Sequence, residues 1–145
     1  SQDVLESGIM EAWLSSLGVD VVPMASGEHS EHTVDELRSL AERADIGITG
    51  VDYAIAETGS CVLIPSAQVS RLVSLLPPIH IAIVQRGQVL PTLDELFTIR
   101  RRDFLDGNLG SYMNLISGPS RSADIEYTLV TGVHGPGEVH MILVG

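Results

Sequence analysis

A single cysteine, Cys61, excludes an internal disulfide, a multi-cysteine zinc site and an iron–sulfur cluster held by this chain alone. Cys61 stands in the apolar run Cys61-Val62-Leu63-Ile64, where a thiol reads as a small buried hydrophobe. Basic residues are also scarce: eight Lys and Arg stand against nineteen Asp and Glu, a formal net charge of −11. A nucleic-acid footprint needs clustered cations to displace counterions from phosphates, so that class is excluded. The one basic cluster, Arg100-Arg101-Arg102, falls late in a predicted helix, where it complements the helix dipole. No apolar run approaches the roughly twenty residues that span a bilayer. No signal-peptide pattern opens the chain, so a soluble, cytoplasmic protein is expected. Missing too are a Gly-x-x-x-x-Gly-Lys-Ser/Thr loop, a Gly-x-Gly-x-x-Gly turn and a Gly-x-Ser-x-Gly elbow. Their absence weakens nucleotide-triphosphatase, dinucleotide-binding and serine-hydrolase readings.

What is present suits one domain over residues 1–145, since 44% hydrophobic content buries a core at this length without staples. Leu5, Ile9, Trp13 and Leu17 recur at helical spacing up to Gly18, and a strand is predicted at Val19 to Met24. Thr33-Val34-Asp35-Glu36 and Thr92-Leu93-Asp94-Glu95 are both capping boxes, the first helix turning Leu37, Leu40, Ala41 and Ala44 inward. Short apolar runs at 46–49, 53–56, 61–64, 79–84, 112–117 and 138–144 read as strands, several of them covered on both faces. Strands interleaved with helices predict a three-layer α/β domain, a mostly parallel sheet flanked by helices, with antiparallel pairing where connections are short. Ligands of such sheets bind beyond the strands' carboxyl ends, which points to the loops after Ala56 and Ser117.

Three constellations carry chemistry. Glu57-Thr58-Gly59-Ser60 offers a carboxylate at a strand end as base, nucleophile or anchor for a polar ligand, with hydroxyls and a glycine beside it. Acidic residues and Gly are also ordinary turn chemistry, and a tight turn with a solvated Glu57 and a locally bonded Thr58 is the plainer reading of the same residues. Gly118-Pro119-Ser120-Arg121-Ser122-Ala123-Asp124-Ile125-Glu126 reads as a strand end followed by a short helix, capped by Ser120 or Ser122 and running to about Leu129. Its free N–H groups and Arg121 suit an anion, or Asp124 and Glu126 satisfy the same helix start themselves. His134, between Gly132 and Gly135, is placed for proton transfer near neutral pH. His80 and His140 alternate with apolar neighbours, as buried structural histidines do. His29 and His32, beside Glu28 and Glu31, lack the spacing of a known zinc motif, so no metal site is assigned.

Taken in order, Ile48-Thr49-Gly50-Val51-Asp52-Tyr53-Ala54-Ile55-Ala56-Glu57-Thr58-Gly59-Ser60, Leu75-Leu76-Pro77-Pro78-Ile79-His80, Gly118 to Glu126 and Gly132-Val133-His134-Gly135-Pro136 resemble the successive motifs of the LUD domain family, in its stand-alone lactate-utilization branch. The matching motifs cover about the last two thirds of the chain. Ser60 and Ser122 stand where the family more often has Thr, which keeps a hydroxyl in place. Members carry more N-terminal helical sequence, so the start of this chain is read as shortened. The resemblance implies a fold similar to sugar-phosphate isomerases, CoA transferases and formyltetrahydrofolate cyclo-ligase. It also implies a part in oxidising lactate to pyruvate beside partner subunits that carry iron–sulfur clusters, a division of labour with which the lone Cys61 agrees. No cofactor is assigned to the chain itself.

The candidate ligand-binding residues are Thr58, Gly59, Ser60, Gly118, Ser120, Arg121, Ser122, Asp124 and Gly135, the ligand being a small carboxylate or another anion. Glu57 and His134 are the catalytic candidates. Two functions stay open: an accessory or ligand-binding component of a lactate-oxidising system, or an enzyme acting on a small carboxylate or a phosphate or CoA ester with Glu57 as nucleophile or base. The second leans on analogy with CoA transferases, and folds host unrelated chemistries.

Overall fold

Thr33 sets where the first long helix begins. Its hydroxyl accepts from Glu36 N at 3.3 Å and Glu36 Oε2 accepts from Thr33 N at 2.7 Å, so the predicted box closes both ways. The structure, a computed structural model, describes residues 8–24, 33–64, 71–108, 112–123, 129–132 and 134–145. In chain order its elements are α1 (Ile9–Ser16), α2 (Val34–Arg43), β1 (Ile46–Gly50), β2 (Tyr53–Ile55), β3 (Ser60–Leu63), α3 (Leu72–Leu75), β4 (Ile79–Gln85), a 3-10 turn (Arg86–Gln88), β5 (Val89–Leu90), α4 (Leu93–Leu105), β6 (Asn114–Ile116), β7 (Arg121–Ala123), β8 (Leu129–Thr131) and β9 (Glu138–Val144).

The principal sheet is parallel throughout, in the order β1-β4-β9. Apolar residues on successive positions of β4 produce it: Ala82 and Val84 are fully buried and Ile83 nearly so. Gly47 lets α3 lie against β1, because a Cβ there would collide with the Val73 carbonyl oxygen. Leu37 and Ala41 of α2 are buried as their spacing predicts.

A second sheet, β5-β2-β3-β6, is mixed. β2 and β3 pair antiparallel across the turn Ala56–Gly59, a short connection of the kind that favours antiparallel pairing. Alternation along these strands sends their side chains two ways. Ala54 and Cys61 pack with Val51, Ala82, Val84 and Ile116, whereas Ile55 and Val62 pack with Leu96 and Leu93 of α4. The second sheet therefore lies between the parallel sheet and α4. Cys61 is the buried hydrophobe its surroundings predicted, and burial pushes its thiol up to about 11.

Four expectations need correction. Residues 19–24 form no strand and pair with none of the described strands, and Val19 and Val22 are 47% and 40% exposed. Residues 121–123 and 129–131 form an antiparallel pair, Arg121↔Thr131 to Ala123↔Leu129, so Ala123 and Leu129, the two ends of the expected helix, are in strands, while residues 124–128 between them lie outside the described residues. The Leu129-Val130-Thr131 run has the β-branched composition of a strand. His140 is exposed, with Nε2 3.2 Å from Glu138 Oε2, because β9 is covered on neither face. Finally, α1 leaves Trp13 and Leu17 about 60% exposed, so its apolar stripe is not buried as an amphipathic helix predicts. Leu5, and the His29, His32, Glu28 and Glu31 group, lie outside the described residues.

Candidate functional site

The antiparallel register of β3 and β6 pairs Cys61 with Ile116 and therefore brings Ser60, one position before, beside Ser117, one position after. Their hydroxyl oxygens lie 2.7 Å apart, and Thr58 Oγ1 lies 2.7 Å from the same Ser60 Oγ. Three hydroxyls thus run in a line, the middle one 1% exposed and both ends open to solvent. The line joins the two loops that the sheet's geometry singled out, the turn after β2 and the segment after β6. Ser117 was not among the candidates read from sequence. A hydroxyl residue opening one strand-like run, Ser60, and another closing the next, Ser117, was the available signal, and only the pairing register gives it meaning.

Segment 117–120 is tied in turn to the glycine turn that follows β8. Ser120 N donates to Pro136 O at 2.8 Å, and Gly132 N donates to Ser120 O at 3.0 Å. Gly135 packs closely enough on Ser120 that an added Cβ would sit 3.3 Å from the serine Cβ. Gly118, with φ 125°, and Gly59, with φ 63°, each follow a hydroxyl residue of the line and face open space. Such turns leave backbone N–H groups approachable by a ligand.

The structure thereby brings together Thr58, Gly59, Ser60, Gly118, Ser120 and Gly135. Arg121 opens β7 directly after this loop and is exposed, as is His134. The Ser122 backbone belongs to β7, paired with Val130. Asp124 and Glu126 lie outside the described residues. Among the described residues, no three of His, Cys, Asp and Glu gather as a metal ion would require.

Glu57 has a structural partner. Its Oε1 accepts from Leu93 N at 2.8 Å, at the first residue of α4, while its own N–H donates to Pro91 O at 3.1 Å. Only the Thr92 half of the second predicted capping box forms, Glu95 N lying 3.4 Å from Thr92 Oγ1. A carboxylate from a distant turn thus serves the helix start, where negative charge is favoured. The bond engages Oε1 alone, so chemistry at Glu57 would fall to Oε2.

In the parallel sheet, His80 is fully buried, with Nε2 2.8 Å from Thr49 Oγ1 across the β1–β4 ladder and Nδ1 lacking a hydrogen-bond partner. This is the structural hydrogen bond that the sequence predicts for it. Burial holds its pKa down at about 4. At the carboxyl ends of β1 and β4, Gln88 crosses between strands, its Nε2 donating to Val51 O at 2.6 Å and its Oε1 accepting from Gln85 N at 2.7 Å. No helix among the described residues is long and apolar enough to cross a membrane.

Comparison with known proteins agrees with this architecture. The chain is 45% identical over 105 residues to the lactate utilization protein C of Bacillus subtilis (strain 168), a match covering 72% of this chain and 44% of that protein. It is 37% identical over 143 residues to the lactate utilization protein C of Macrococcus caseolyticus (strain JCSC5402), covering 95% and 62%. The chain spans about half the length of the curated relatives it matches. A crystal structure of a DUF162 family protein from Deinococcus radiodurans matches it with a TM-score of 0.55 at 25% identity, over 95% of this chain and 83% of that one. The LUD domain model matches residues 1–144, and on that match, with these relatives beside it, the chain belongs to the LUD domain family.

Proposed function

We propose that this chain is a ligand-binding, accessory component of a lactate utilization system, taking a small carboxylate at the rim made by the Thr58–Ser60 turn and the Ser117–Ser120 loop. The observation that carries this reading is the Ser60–Ser117 hydroxyl bridge, which makes one polar site of two loops that are distant in sequence. The relatives' names supply the process. Hydroxyls, open glycine turns and the Arg121 guanidinium suit a carboxylate, which accepts several hydrogen bonds at once. The redox step, lactate to pyruvate, belongs in this reading to partner subunits carrying iron–sulfur clusters, because the one thiol here is buried and held protonated at neutral pH.

A melting screen with lactate, pyruvate, CoA and sugar phosphates tests the ligand. Lactate or pyruvate at a hundredfold excess over its Kd should raise the Tm by about 5 °C or more, and Arg121→Ala should abolish the shift while leaving the unliganded Tm within about 2 °C. No shift with any of the four would sink the small-molecule site. Co-elution with cluster-bearing partner subunits under reducing, anaerobic conditions tests the assembly, and separate elution would count against it.

A further inference from the structure

We infer that the line Thr58–Ser60–Ser117 is a hydrogen-bond polarity device that selects a ligand carrying one acceptor and one donor, as a 2-hydroxy carboxylate does, over a 2-keto carboxylate that carries acceptors only. This rests on the carboxylate-binding reading above and adds to it which carboxylate the site prefers and which residues decide.

The inference follows from counting hydrogens. Each hydroxyl has one hydrogen to give and lone pairs to accept with. Three hydroxyls joined by two bonds, both 2.7 Å, consume two hydrogens and keep one. Were the spare hydrogen on Ser60, it would be sealed in a position 1% exposed with no third partner, and an unsatisfied buried donor is costly. The hydrogens therefore point one way along the line. Either Thr58 donates to Ser60 and Ser60 to Ser117, leaving Ser117 a donor and Thr58 an acceptor, or every bond is reversed.

Both ends are exposed, and each end oxygen lies 2.7 Å from the same Ser60 Oγ, so the two are at most twice that distance apart and within the span of one ligand. A carboxylate oxygen at one end fixes the direction of all three hydroxyls and turns the far end into an acceptor. A ligand hydroxyl satisfies that acceptor, whereas a keto oxygen meets lone pairs with lone pairs. Ser60 touches no ligand in this scheme. It is a positioning residue that transmits direction, and neighbouring hydroxyls polarise one another along such a chain.

Calorimetric titration of the intact chain with each lactate enantiomer and with pyruvate tests this. The wild type should bind the better lactate enantiomer at least about fivefold tighter than pyruvate. Ser60→Ala should bring that ratio close to one, and Ser60→Thr, which restores a hydroxyl, should recover it. Ser117→Ala alters an exposed end, folds independently of the buried position, and should erase the ratio as well. Equal wild-type affinity for lactate and pyruvate, or a ratio that survives in both alanine variants, overturns the polarity device while leaving carboxylate binding intact. Binding of neither compound by the wild type overturns both.

Discussion

Thr49 and His80 meet diagonally across the β1–β4 ladder, Thr49 pairing with Ala82 and His80 with Gly47, and the 2.8 Å bond between Thr49 Oγ1 and His80 Nε2 is the only hydrogen bond that this fully buried imidazole makes among the described residues. The ring is neutral when folded. Its pKa of about 4 lies below the ordinary 6.5, so the unfolded chain takes up the proton first as pH falls. Stability from this group is complete above pH 6.5, declines between pH 6.5 and about 4, and is level below. The full loss is about 3 kcal/mol. Urea midpoints at pH 7.5 and 5.0, compared between wild type and His80→Gln, isolate it from the titrating carboxylates. An equal acid-induced loss in both proteins would refute the assignment. Thr49→Val, which strands Nε2 as well, should cost about 1–3 kcal/mol at neutral pH.

Glu57 should matter to stability more than its exposed position suggests. Glu57→Ala removes the acceptor for Leu93 N and should cost about 1 kcal/mol, whereas Glu57→Gln, which keeps an acceptor oxygen, should cost less than half of that. Chemical denaturation of the two variants decides the point. Equal losses would mean that charge at the helix start, and not the bond, is what counts.

Gly47→Ala should destabilise by about 1–3 kcal/mol or prevent folding, since its Cβ has the Val73 carbonyl on one side and Pro77 Cγ at 3.1 Å on another. Gly87→Ala, facing open space, serves as the control and should stay within about 0.5 kcal/mol. Both are read from urea midpoints.

Cys61 should resist modification. With its pKa raised to about 11, thiolate at pH 8 is on the order of 100-fold scarcer than for a free cysteine, and burial slows access further. A chromogenic disulfide reagent should therefore react slowly with native protein and quickly in urea. Rapid native reaction would show that the strand pair over Cys61 opens readily.

The strand at 79–85 was legible because its apolar residues run on consecutive positions, as a covered central strand requires, whereas 46–50 and 138–144 were legible from their β-branched and apolar composition although both stand at sheet edges. The capping box at Thr33 was legible because it is written within four residues. What escaped depends on residues far apart. Val19 to Met24 has strand composition, but a ladder needs a neighbour. Ala123 and Leu129 were read as the ends of a capped helix, and only the pairing of 121–123 with 129–131 places them in strands. His140 alternates correctly, yet alternation cannot report whether anything covers the sheet. In the candidate site, Thr58 and Ser60 were visible as a motif, while Ser117 became visible only once β3 and β6 were paired. Glu57 drew attention as an acid at a strand end, and its partner at Leu93 lies beyond any local motif.

The seven-pair ladder between β4 and β9 also sets the order in which the molecule can be built. Ile79 pairs with Glu138 and Gln85 with Val144, so most of the intervening chain must be in place before the longest ladder can close. Distant pairings of this kind offer no reward until loop-closure entropy has been overcome. The β4 edge therefore waits unpaired late into folding. Refolding should be slow for a chain of this size and prone to loss by edge-to-edge association, so dilute protein and low temperature should raise the recovered yield.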